Sequence, residues 1–126
     1  MAELDENIAQ ALKVDMIVDI TTTGRKSGDP RRIEIWSHYL DGQMLIAAAP
    51  GRRSWYANLR ANPEFTFRLE ESIEVDLPAR ARVVTDEEDR RAILTSVAAR
   101  WYRDRSDVER LVADAPLVEV TFLDHP

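Results

Sequence analysis

Asp41-Gly42 stands between two alternating runs, and no other feature restricts the fold of this chain as much. Before it, Arg31 to Tyr39 sets Ile33 and Ile35 on one face and Glu34, Trp36 and His38 on the other. Asp-Gly supplies the backbone angles that a two-residue hairpin turn requires. After it, Gln43 to Ala49 returns as the partner strand. Upstream, Asp15 to Thr23 is rich in Ile, Val and Thr and ends at Gly24, which predicts a third strand. Three strands in the first 49 residues, two of them joined by a tight turn, commit the chain to a largely antiparallel sheet.

The remaining elements fit round that sheet. Leu4, Ile8, Ala11 and Leu12 at helical spacing predict a helix over Glu3 to Lys13. Pro50-Gly51 ends the third strand. Arg52 to Ala61 then reads as a short helix with Trp55, Tyr56 and Leu59 on one side, stopped by Asn62-Pro63. Glu64 to Leu69 and Ile73 to Val84 form a second strand pair, the latter bent at Pro78. Thr85 with Glu88 makes a capping box for a long helix whose apolar set is Ile93, Leu94, Val97, Ala98, Trp101 and Tyr102. A short helix over Ser106 to Ala113 and a strand over Leu117 to Leu123 complete the pattern. Six short strands interrupted by helices predict a small mixed barrel, α+β but mainly β, with flanking helices and a single domain over residues 1–126.

Composition narrows the function. A chain of 126 residues with 44% hydrophobic content can bury one core without disulfides or a structural metal. The absence of cysteine removes disulfides and thiolate metal sites and fits a reducing cytoplasm. No run approaches the roughly 20 apolar residues of an integral membrane helix, and the acidic start MAELDENIAQ is unlike a signal peptide. The expected location is therefore cytoplasmic. A net charge of −6 argues against nucleic-acid binding, but residues 24–69 carry eight cations against four anions. A local positive region on an acidic protein points to a small anionic ligand.

That region contains TTTGRKSGDPRR, residues 21–32, which gathers Arg25, Lys26, Arg31 and Arg32 round a turn. Gly24, Gly28 and Asp29-Pro30 favour a tight loop able to aim backbone N–H groups and cations at one anion. The loop joins two strands and lacks the GK[ST] ending, so it is not a triphosphate-binding Walker loop. A second basic turn, Pro50-Gly51-Arg52-Arg53, opens a helix whose N-terminal N–H groups also favour an anion. Side chains for acid–base or nucleophilic catalysis are scarce. Of the two histidines, His38 reads as a barrel-surface or hairpin residue and His125 lies at the end of the sequence, so no metal site is expected. Glu70/Glu71 and Glu87/Glu88 read as solvated or helix-start charges, and no GxSxG elbow occurs. Two cationic turns with Trp36, Trp55 and Tyr56 would suit a phosphorylated planar cofactor, which brings its own redox chemistry. Trp55 and Tyr56 read equally well as core anchors of their helix.

TTTGRKSGDPRR followed by DGQMLIAAAPGRRSWYANLRANPEFTF resembles the deazaflavin-dependent nitroreductase family, split β-barrel proteins that use coenzyme F420. The likeness runs from about Asp19 to Leu69 and weakly on to the segment at Pro116. It implies a split-barrel fold and hydride transfer from reduced F420 to a quinone, enone or nitro compound. It also implies that Arg25, Lys26, Ser27, Gly28 and Arg31 hold the phosphate-bearing tail. Trp36, Ala48, Ala49, Pro50 and Gly51 would line the ring and ribityl region, with Trp55 closing it and Tyr102 near the substrate. The chain departs from these relatives in a shorter segment, AAAPGRRS, before the second helix and in having Arg105 where a further tyrosine falls. FMN or haem in the same barrel, with His38 as the haem ligand, and a non-enzymatic binder of a lipid or small anion are the alternatives. Exposed barrel edges would allow a homodimer.

Overall fold

The computed structural model describes residues 5–40, 42–48, 51, 53–101 and 108–123, with the backbone alone for 98–101 and 108. Its strands are β1 (Ile17–Thr23), β2 (Pro30–Leu40), β3 (Gln43–Ala47), β4 (Glu64–Leu69), β5 (Val75–Val83) and β6 (Leu117–Phe122). Its helices are α1 (Glu6–Val14), α2 (Ser54–Ala61), α3 (Glu87–Trp101) and α4 (Val108–Asp114). The strands close into a barrel in the order β1-β2-β3-β6-β5-β4, antiparallel at every junction including that between β4 and β1. The expected barrel and its six strands are present. The open edges expected to support a homodimer are not, because each described strand has a neighbour on both sides.

Local chemistry accounts for the turns and caps. Leu40 pairs with Gln43, leaving a two-residue turn with Gly42 at a φ of 82°. Asp5 caps α1 by accepting from the Asn7 N–H at 2.7 Å. The capping box expected at Thr85 and Glu88 is shifted by one residue: Asp86 caps α3, accepting from the Asp89 N–H at 3.0 Å. The Val84 N–H is still bonded to the Leu117 carbonyl of β6, so the chain stays with the sheet to that point and the helix starts later.

Alternation sorts side chains into two cores. Inside the barrel lie Val18, Ile20, Ile35, Ile46, Phe67 and Val118, sealed by Ala11 and Leu12 of α1 and by Trp55 and Leu59 of α2. Phe67 meets Phe122 edge to face at 5.2 Å. A second core forms outside the barrel, where Leu45, Ala47 and Leu117 pack against Leu94 of α3 and Leu111 of α4. This outer core corrects the reading of His38. The residue pairs with Leu45 in the β2–β3 ladder and is 1% exposed, rather than lying on an open barrel surface.

Arg90 of α3 joins the outer layer. Its guanidinium, 7% exposed, donates to the carbonyls of Val112 (2.6 Å), Leu111 (3.2 Å), Ala115 (2.6 Å) and Val84 (2.9 Å). The last carbonyls of a helix lack intrahelical partners and carry negative partial charge. Arg90 therefore satisfies the end of α4 while tying it to the exit of β5. Arg91 and Glu109 add a surface pair between the same helices, at 2.5 and 3.0 Å.

Candidate functional site

The loop between β1 and β2 spans residues 24–29, since Thr23 pairs with Pro30. It folds back on itself through three hydrogen bonds. The Gly24 N–H donates to the Asp29 carbonyl (2.8 Å), the Gly28 N–H to the Gly24 carbonyl (2.9 Å), and the Asp29 N–H to Ser27 Oγ (3.1 Å). Gly28 takes a φ of 75°, which disfavours other residues. Gly24 is needed for space: a Cβ there would stand 2.7 Å from Ser27 Oγ and 3.2 Å from the Asp29 carbonyl oxygen.

The four cations of this segment part company. Arg32 is taken up by Asp19 (2.6 Å) and Glu70 (2.6 Å), which raise its pKa, the Asp19 hydrogen bond foremost. Glu70 also accepts from Arg68, which bonds Asp76 at 3.0 Å, so this chain of charges is largely self-neutralised. Arg25 turns toward α2 and donates to Asn58. Lys26 and Arg31 form no ion pair among the described residues and remain exposed.

Those two cations face a cleft of about 550 Å³ between the loop and the start of α2, with Ser27, Ser54, Trp55 and Asn58 among its walls. The helix begins at Ser54 after Arg53, and no side chain caps it, so the N–H groups of its first turn are open to an anion. Trp55 is both core and wall: it is 7% exposed, packs edge to face on Tyr56 at 5.7 Å, and borders the cleft. The first basic segment thus meets the start of α2, but of the second Gly51 and Arg53 are not among the cleft walls, and Pro50 and Arg52 lie outside the described residues.

Not every expected residue joins them. Arg25, Lys26, Ser27, Arg31 and Trp55 line the cleft, and Gly28 shapes its loop. Trp36 lies on β2 opposite Ile17, 39% exposed and apart from the cleft walls. Ala48 is half-buried, its N–H bonded to the Pro116 carbonyl, and Gly51 sits at an exposed bend with a φ of 143°. Ala49, Pro50 and Tyr102 lie outside the described residues. Asn58, Thr22 and Ser54 were missed. Asn58 had one usable signal, a polar residue three places after Trp55 on the side of the helix that faces inward.

The donor set fits a phosphorylated cofactor. Lys26, Arg31, the Ser27 hydroxyl and the helix N–H groups suit a phosphate, while Trp55 gives flat apolar surface, and the volume is that of a small-molecule site. Among the described residues no group of acidic, histidine or cysteine side chains could hold a metal. No described helix is long and apolar enough to cross a membrane.

The closed six-strand barrel with its flanking helices is a split β-barrel fold. Solved structures agree on the fold. A conserved hypothetical protein from Mycobacterium tuberculosis superposes with a TM-score of 0.74 at 20% identity, covering 96% of this chain and 82% of that one. A putative pyridoxamine 5'-phosphate oxidase from Listeria innocua gives 0.72 at 11% identity, covering 95% and 94%. A structure described as an F420 reductase gives 0.71 at 16% identity, covering 95% and 96%. The family model for F420H(2)-dependent quinone reductase matches residues 2–114, and the chain belongs to that family. It is an oxidoreductase, and its cofactor is coenzyme F420.

Proposed function

We propose that the chain binds reduced coenzyme F420 in the cleft between the 24–29 loop and α2 and reduces a small electrophilic acceptor: a quinone first, then enones and nitro compounds. The observation that carries this reading is the pair Lys26 and Arg31, exposed, free of ion pairs among the described residues, and facing an uncapped helix start. The family description supports a quinone as acceptor. When bound, the coenzyme supplies a hydride. The chain's own residues bind and orient: Lys26, Arg31 and Ser27 hold the phosphate, and Trp55 shields one side of the cleft from water. The hydroquinone's second hydrogen comes as a proton from solvent.

Reoxidation of reduced F420, followed across a panel of quinones, enones and nitro compounds, tests the proposal. Quinone-dependent reoxidation is expected, and Lys26→Ala and Arg31→Ala are each expected to weaken coenzyme binding on the order of tenfold or more. Unchanged binding in the double variant would sink the assignment of the cleft. Saturable binding without reoxidation by any acceptor would point instead to a carrier. FMN would use the same phosphate groups, and parallel titration separates the two. His38, the ligand of the haem alternative, is buried beside Leu45 and is not among the walls of this cleft.

A further inference from the structure

Asn58 lies on α2 with its side chain turned inward, 2% exposed, and its polar atoms are committed to the loop and to β1. Its Oδ1 accepts from the Arg25 main-chain N–H at 3.1 Å and from the Arg25 guanidinium at 2.9 Å. Its Nδ2 donates to Thr22 Oγ1 at 3.2 Å, and Thr22 is itself 2% exposed. Chemistry fixes this orientation of the amide. Arginine and the backbone N–H have only hydrogens to give, so the oxygen must face them, while the threonine hydroxyl can accept from the nitrogen.

We propose that Asn58 is the positioning residue of the anion loop: acting through Arg25, it orders residues 24–29 so that Lys26 and Ser27 meet the coenzyme's phosphate already placed, beside Arg31 on β2. The inference rests on the proposed coenzyme cleft. Ordering a loop on binding costs conformational entropy, so donors set beforehand bind more tightly than the same donors on a loose loop. The loop's internal bonds fix its own shape, Gly24 to Asp29 and Gly28 to Gly24, but they do not fix where it stands relative to α2. The two bonds from Arg25 to Asn58 do that, and the bond to Thr22 fixes Asn58 against the barrel wall. Arg25 then differs in kind from Lys26. One arm of its guanidinium is a strut between helix and loop, not a free phosphate ligand.

The test uses the full chain with the variants Asn58→Ala, Asn58→Asp, Arg25→Ala and the double Asn58→Ala/Arg25→Ala. Two quantities are read: equilibrium affinity for F420, and amide hydrogen exchange of residues 24–29 in protein without coenzyme. Asn58→Ala is expected to lower affinity on the order of tenfold and to speed loop exchange. Arg25→Ala is expected to cost less in the Asn58→Ala background than alone, because the two act as a unit. Asn58→Asp keeps the acceptor for Arg25 and is expected to restore slow exchange, which a general loss of packing would not. Wild-type exchange in Asn58→Ala, or fully additive effects on affinity, would overturn the proposal. Should Asn58→Ala fail to fold, Arg25→Ala on the exposed loop must show the faster exchange by itself. Should the wild type not bind F420, the coenzyme reading fails, and the exchange of the three single variants still decides the role of Asn58.

Discussion

At the scale of the residue, the cleft depends on a few positions where one atom decides the outcome. Gly24 is the sharpest, since Ser27 Oγ and the Asp29 carbonyl crowd the place where a Cβ would stand. Gly24→Ala is expected to push Ser27 off the Asp29 N–H and weaken F420 binding about tenfold, while destabilising the protein by only about 1 kcal/mol. Calorimetric titration beside a thermal melt checks both, and unaltered affinity would count against the loop geometry. The cations of the loop were legible in the sequence, but their partners were not. Their fates depend on partners far along the chain, Glu70 for Arg32 and Asn58 for Arg25. Asn58 was harder to find: its spacing from Trp55 hints at the inward face, but an asparagine on a helix reads as solvated until the fold shows which face is buried.

At the scale of the element, the outer helices hold by contacts of two unlike strengths. Arg90 is buried and meets four carbonyls, so Arg90→Met is expected to cost about 3 kcal/mol, lowering the melting temperature by roughly 10 °C. Arg90→Lys is expected to recover little, because one ammonium cannot span the same four oxygens. A melt no lower than wild type in Arg90→Met would contradict the capping role. The Arg91–Glu109 pair is exposed. The Arg91 hydrogen bond holds Glu109 below its ordinary pKa of 4.5. A depressed carboxyl stabilises the folded state above its ordinary value and loses that contribution as pH falls through the folded one. Glu109→Gln is therefore expected to flatten the acid limb of a plot of stability against pH and to leave the limb above neutrality alone. An acid limb identical to wild type would refute this. Helix and strand existence was legible from periodicity and turn residues. The start of α1 was set three residues early, that of α2 two and that of α3 one, since capping depends on where the sheet releases the chain, as Val84 shows.

At the scale of the whole molecule, a net charge of −6 surrounds one positive cleft. Lys26 and Arg31 are exposed, and salt screens exposed charges over about 8 Å at physiological ionic strength. F420 affinity is thus expected to fall as sodium chloride rises, and Lys26→Ala to flatten that dependence. An affinity indifferent to salt would mean that the phosphate is held by neutral donors instead. The barrel as a class was legible from six short strands, but its closure was not, because local patterns do not say which edges meet. That closure has a consequence for biosynthesis. β6, the last described strand in chain order, lies between β3 and β5, so two of the six strand junctions wait on residues 117–122. While the ribosome is still making the chain, β3 and β5 present unpaired rims, the condition under which nascent proteins cling to one another. Closure of the barrel must then wait for β6, and the open-rimmed chain before that step is where a holding chaperone would be needed most.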